Sequence, residues 1–181
     1  MRLLISTLLL CLPLIAVAGP DEDRKEAQEM RKEVLANLYK EKSETKSEIE
    51  NSRGYAVFSS LGVNLFVVST ANGSGILHDN RNGKDIYMSL FSAGGGIGLG
   101  VKNFSAVFVF NDEKTLDSFI ESGWDFSAQA EAKVETDQDS GGAETAATVV
   151  PGVEIYQMTE SGLALQATLQ GTKYWIDDEL N

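Results

Sequence analysis

His78, the chain's one histidine, stands beside Asp79. A dyad built on it would need a hydroxyl nucleophile held within reach, and Ser74 and Ser92 are the nearest candidates. Nothing in the spacing marks either serine as activated, and one imidazole cannot assemble a multi-histidine metal centre. Gly94, Gly95, Gly96, Gly98 and Gly100 form the densest glycine run. Their spacing never satisfies G-x-G-x-x-G, and no Lys-Ser or Lys-Thr follows as in a phosphate-binding loop. The run reads as a strand that bends or lets another backbone approach, with N–H groups able to receive an anionic headgroup. Asp137, Asp139 and Gly142 echo a calcium loop, but Gly141 and Thr148 occupy two of its ligand positions, so the pattern fails.

Composition narrows the chemistry further. The 181 residues carry 15 Lys plus Arg against 27 Asp plus Glu, a formal net charge of −12. That balance argues against a nucleic-acid partner, whose phosphates call for cations. With 43% apolar residues the chain can bury a core. Cys11 is the single cysteine, which excludes an internal disulfide framework and a multi-thiolate metal site. No cofactor is expected.

Residues 1–18 read as a secretory leader. Arg2 gives a positive start, Leu3–Val17 is almost wholly apolar, and Ala16-Val17-Ala18 offers a cleavage site. The apolar run is short for a membrane span of about 20 residues. Leu8, Leu9 and Leu10 precede Cys11 where a lipid-attachment signal would carry small residues, so cleavage after Ala18 is the reading. Loss of Arg2 makes the remainder one unit more acidic. Such a leader without an anchor predicts a periplasmic protein.

Residues 19–52 form a helical arm. Ala27, Met30, Val34, Leu35, Leu38 and Tyr39 recur at helical spacing and cover one broad arc. Arg24, Lys25, Arg31 and Lys32 fall along one edge of that arc, with Glu22, Glu26, Glu29 and Glu33 opposite. Cations flanking an apolar arc can reach phosphates while Leu35, Tyr39 and their neighbours enter a membrane interface. The same pattern equally describes a helix lying on a protein body with its charges in water. Ser47 and Glu50 offer a capping box for a short second helix.

From Gly54 the apolar period becomes two. Strands are expected near Tyr55–Ser59, Val63–Thr70, Gly75–Asp79, Lys84–Phe91, Ile97–Val101 and Ser105–Phe110. Asn72-Gly73 and Asn82-Gly83 are turn dipeptides, the second well placed for a hairpin. Asn111 or Asp112 can cap a helix with Leu116, Phe119 and Ile120 on its apolar face and Gly123 at its end. A long alternating strand follows from Trp124 to Glu135, then a polar loop over Thr136–Glu144. Strands at Val153–Met158, Leu163–Leu169 and Thr172–Ile176 complete the chain. The fold class is therefore α+β: an N-terminal amphipathic helix packed on a mostly antiparallel, curved or barrel-like β body with one internal helix.

Four segments of residues 53–181 carry a family resemblance: RGYAVFSS at Arg53–Ser60, SLFSAGGGIGLGV at Ser89–Val101, AVFVFNDEKTLDSFI at Ala106–Ile120 and SGLALQATLQGTKYW at Ser161–Trp175. Together they resemble the SYLF domain, a family of lipid-binding and actin-regulating modules. The acidic loop Thr136–Gly142 departs from relatives, where this loop is often Gly- and Arg-bearing. The resemblance implies phospholipid binding by a secreted, stand-alone bacterial member; actin, a cytoplasmic partner, is not expected. Arg53 adjoins the family-like opening strand, and Lys102 and Lys173 lie at or near the ends of others, which makes all three headgroup candidates. Two functions are thus expected to compete. One is a periplasmic phospholipid-binding or membrane-surface module without catalytic chemistry. The other is an envelope protein-interaction or structural module pairing through exposed sheet edges.

Overall fold

The computed structural model describes residues 19–65, 68–95, 104–126, 147–159, 162–163 and 171–181. The expected strand at Ile97–Val101, most of Trp124–Glu135 and of Leu163–Leu169, the loop at Thr136–Glu144, and Lys102 lie outside them. Among the described residues, three helices, α1 (Pro20–Glu41), α2 (Thr45–Asn51) and α3 (Glu113–Ser122), accompany nine strands. These are β1 (Gly54–Leu65), β2 (Val68–Asp79), β3 (Lys84–Gly95), β4 (Phe104–Phe110), β5 (Trp124–Asp125), β6 (Ala147–Val150), β7 (Val153–Thr159), β8 (Gly162–Leu163) and β9 (Thr172–Ile176). They form one sheet in the order β5-β9-β3-β2-β1-β4-β7-β6, with β8 also on β7, and every pairing is antiparallel. The sheet is curled, and the expected α+β class holds.

Period-two alternation divides the side chains between two faces. On the inner face Ala56, Phe58, Leu77, Met88, Leu90, Phe108, Phe110 and Tyr174 meet Leu116 and Phe119 of α3 in the main core. Aromatic rings dominate it: Phe58 and Tyr174 lie 4.7 Å apart between centroids, and Phe119 and Trp124 4.6 Å. These tilted and edge contacts add to the area that burial removes from water. Gly75 makes room for one of them, because a Cβ there would overlap the Phe58 ring. The Tyr174 hydroxyl is buried within this core without a hydrogen-bond partner.

On the outer face Val57, Val107, Val109, Tyr156 and Met158 meet Val34 and Leu38 of α1 and Ile49 of α2 in a second core. The sheet is therefore a middle layer, with α1 and α2 outside and α3 inside.

Local chemistry explains the joints. Asn82-Gly83 makes the β2–β3 turn as expected, with Gly83 at φ +72. Asp79 within that turn accepts from Arg81 and Asn82, and Arg81 reaches across to Asp117 of α3 at 2.8 Å. Asp112 caps α3, accepting from the Thr115 N–H at 2.8 Å. Gly123 ends the helix at φ +63, where a Cβ would overlap the Tyr174 carbonyl oxygen.

Three expectations need correction. Asn72-Gly73 is not a turn: both residues lie mid-strand in β2, opposite Leu61 and Ser60. A Cβ at position 73 would collide with the Ser59–Ser60 backbone, so this glycine answers a close strand approach rather than a reversal. In consequence the expected strands Val63–Thr70 and Gly75–Asp79 are not separate units. Val63 belongs to β1 and Thr70 to β2, and the chain reverses between Leu65 and Val68, which pair. Ser47 and Glu50 form no capping box, because α2 starts earlier. Ser47 sits inside it and donates to the Glu44 carbonyl, while Thr45 donates to that of Lys42.

Candidate functional site

The outer face of the sheet has a covered half and an open half. α1 crosses the covered half diagonally, over the rows Tyr55–His78–Asp85 and Val57–Ile76–Tyr87. Its N-terminal end is tied to the C-terminal segment, where Arg24 Nε donates to the Leu180 carbonyl at 2.8 Å. Its middle is tied to β3. Asp85 accepts from Gln28 Nε2 at 2.8 Å and Arg31 Nη1 at 2.8 Å, and its Oδ1 lies 2.6 Å from His78 Nδ1. Burial acts to raise the Asp85 carboxyl, but hydrogen bonds from Gln28, His78 and Arg31 outweigh it and hold the group below the usual carboxylate range. At its far end Lys42 lies over the Tyr156 ring, 5.2 Å from the centroid. The Tyr156 hydroxyl donates to Glu48 at 2.6 Å; burial first, then Glu48, pushes the phenol far above its ordinary value.

The open half begins one row further along each strand. Ser105, Ser59, Ser74, Ser89 and Trp175 stand in register across β4, β1, β2, β3 and β9. The next row runs Leu61, Asn72, Phe91, Lys173, Asp125. Among the described residues, the exposed large apolar side chains are three: Leu61 at 74% accessible, Phe91 at 39% and Trp175 at 37%. All three fall in these two adjacent rows. Phe91 and Trp175 are diagonal cross-strand neighbours, close enough for aromatic side chains to share one surface. Lys173 stands directly opposite Phe91, its ammonium 3.7 Å from Asp125 in a half-exposed pair that contributes little to stability.

No family model matches the chain. It is similar to Beta cell expansion factor A of Aeromonas veronii, 37% identical over 146 residues that make up 81% of this chain and 54% of that protein. The chain thus spans about half the length of the curated relative it matches.

The residues singled out from sequence are not brought to one place. Arg31 is committed to Asp85, and Arg24 to Leu180 and Asp21. Leu35 and Tyr39 pack at the margin of the second core. Lys25 and Lys32 are exposed on α1. Arg53 is exposed where β1 begins, its backbone N–H on the Phe110 carbonyl. Of the candidates among the described residues, Lys173 alone shares a surface with exposed aromatics. His78 points to Asp85 rather than to a serine; Ser92 lies on the opposite face, buried, with Thr172 Oγ1 donating to it at 3.0 Å.

Sequence reasoning missed Leu61, Phe91 and Trp175. Their signal is phase. Leu90-Phe91 and Tyr174-Trp175 are apolar neighbours in strands, so one of each pair must leave the core.

Proposed function

We propose that the protein is a secreted, periplasmic phospholipid-binding module that works at a membrane surface, by contact rather than covalent chemistry. The observation that carries this reading is the open half of the outer face, where Phe91 and Trp175 flank Lys173 and Leu61 is exposed two strands beyond Phe91. Aromatic rings beside a snorkelling lysine suit the boundary between headgroups and acyl chains. The resemblance to the SYLF domain supports the same ligand class. Two arginines of the helical arm are held within the molecule, so apolar burial rather than a cationic edge supplies most of the affinity. Burying the exposed part of Trp175, about 90 Å², is worth about 2 kcal/mol, roughly thirtyfold in affinity.

Flotation with phospholipid vesicles tests the reading. Wild-type protein should float with neutral vesicles and persist at high salt. Phe91→Ser combined with Trp175→Ser should lose at least thirtyfold in affinity while keeping its circular dichroism. Equal flotation of both proteins would remove this face from the function. No flotation of the wild type, with a stoichiometric envelope protein bound instead, would favour the interaction-module alternative.

A further inference from the structure

The charges around the exposed aromatic pair define which headgroup the face accepts, given the membrane reading above. Lys173, Trp175 and Asp177 alternate outward along one line at the end of β9, roughly 6.6 Å per two-residue step. Ser89, directly opposite Trp175, donates to Asp177 Oδ2 at 2.8 Å, which fixes that carboxylate beside the indole. Asp125 stands opposite Lys173 on the other side. The chain then continues through the exposed Asp178 and Glu179. Among the described residues, one ammonium paired with Asp125 therefore stands on one side of Trp175, and Asp177, leading into Asp178 and Glu179, stands on the other. On α1, Arg24 is held by Asp21 and the Leu180 carbonyl, and Arg31 by Asp85.

We infer that this face selects zwitterionic ammonium–phosphate headgroups over anionic ones. Among the described residues, a phosphate alone finds Lys173 with Asp125 already beside it, and past Trp175 it meets the carboxylates of Asp177, Asp178 and Glu179. A headgroup that carries an ammonium next to its phosphate meets both signs. Its phosphate faces Lys173, and its ammonium faces the carboxylates and the rings of Trp175 and Phe91, a cation–π arrangement. The inference rests on the membrane reading and adds the headgroup class to it.

The test compares vesicles of phosphatidylcholine, of phosphatidylethanolamine with phosphatidylcholine, and of phosphatidylglycerol, titrated with the purified protein at low salt. Binding to both zwitterionic compositions should be at least threefold tighter than to phosphatidylglycerol. Asp125→Asn with Asp177→Asn should narrow or reverse that ratio, and Lys173→Gln should weaken zwitterionic binding about threefold. Tighter, salt-sensitive binding of wild type to phosphatidylglycerol would overturn the headgroup assignment and leave the membrane reading standing. A ratio unchanged in the double variant would also overturn the assignment. Absence of binding to all three compositions would overturn both.

Discussion

Replacing Asp85 by Ala tests how α1 is held on the sheet. Asp85 faces three donors, Gln28, Arg31 and His78, and the Arg31 and Asp85 side chains are only 16% and 25% accessible. The variant leaves a guanidinium with most of its surface out of water and without its carboxylate. Breaking a fully buried pair costs about 3–5 kcal/mol, and losing one charge-assisted hydrogen bond about 1.5–3 kcal/mol. Residual solvent access and the Gln28 carbonyl, which still accepts from Arg31, place this case near the lower range, at about 2–3 kcal/mol. The loss should be local. Besides the Arg24–Leu180 hydrogen bond and the Lys42–Tyr156 contact at its ends, the remaining grip of α1 is a narrow strip of Ala27, Val34 and Leu38 with partly buried neighbours, whereas the sheet keeps its ladder and inner core. Hydrogen exchange over residues 20–41 should therefore accelerate by roughly 30- to 150-fold, with β1 and β4 almost unchanged. Asp85→Asn, which keeps an acceptor, should fall between. The carboxyl is depressed in the folded state, so its stabilisation is present above the ordinary carboxylate value of about 4 and is lost as pH falls through the lower folded value. Protection of α1 should stay flat through neutral pH and drop in acid, and Asp85→Ala should lack that acid limb. Exchange over 20–41 unchanged within threefold would refute the clamp.

Two substitutions probe the inner core. Gly75→Ala places a methyl group against the Phe58 ring and should cost about 2–3 kcal/mol, read as a lower urea midpoint at constant m. An unchanged midpoint would mean that the ring yields freely. Tyr174→Phe removes a buried hydroxyl with no partner and should stabilise by about 1–2 kcal/mol, raising Tm by a few degrees. A lower Tm would mean that the hydroxyl has a partner in solution.

Much of the fold was legible because it rests on short-range signals. The six apolar positions of α1, the Asn82-Gly83 turn, the Asp112 cap and the Gly123 stop each occupy a few consecutive residues, and β9 appears with the expected ends. The joint between β1 and β2 was not legible. Asn72-Gly73 has turn chemistry, but what governs it is the approach of the Ser59–Ser60 backbone from the neighbouring strand. The fate of the arm's cations was hidden for a similar reason. Arg31 meets Asp85 across 54 positions of sequence, and only the packing of α1 on β3 brings them together. The open face was half legible. Lys173 was visible as a cation ending a strand, but its aromatic setting depends on the register of β3 against β9. Leu90-Phe91 and Tyr174-Trp175 show that two apolar neighbours cannot both be core, and only pairing decides which of them is exposed.

The most direct test uses the chain's two tryptophans, Trp124 and Trp175. Trp124→Phe leaves Trp175 as the single indole, on the open face. With neutral phospholipid vesicles its emission should shift to the blue and be quenched by acyl chains that carry a quencher near the headgroups. A protein that floats while Trp175 emission stays at its aqueous position and escapes quenching would contradict the claim that this face meets the membrane.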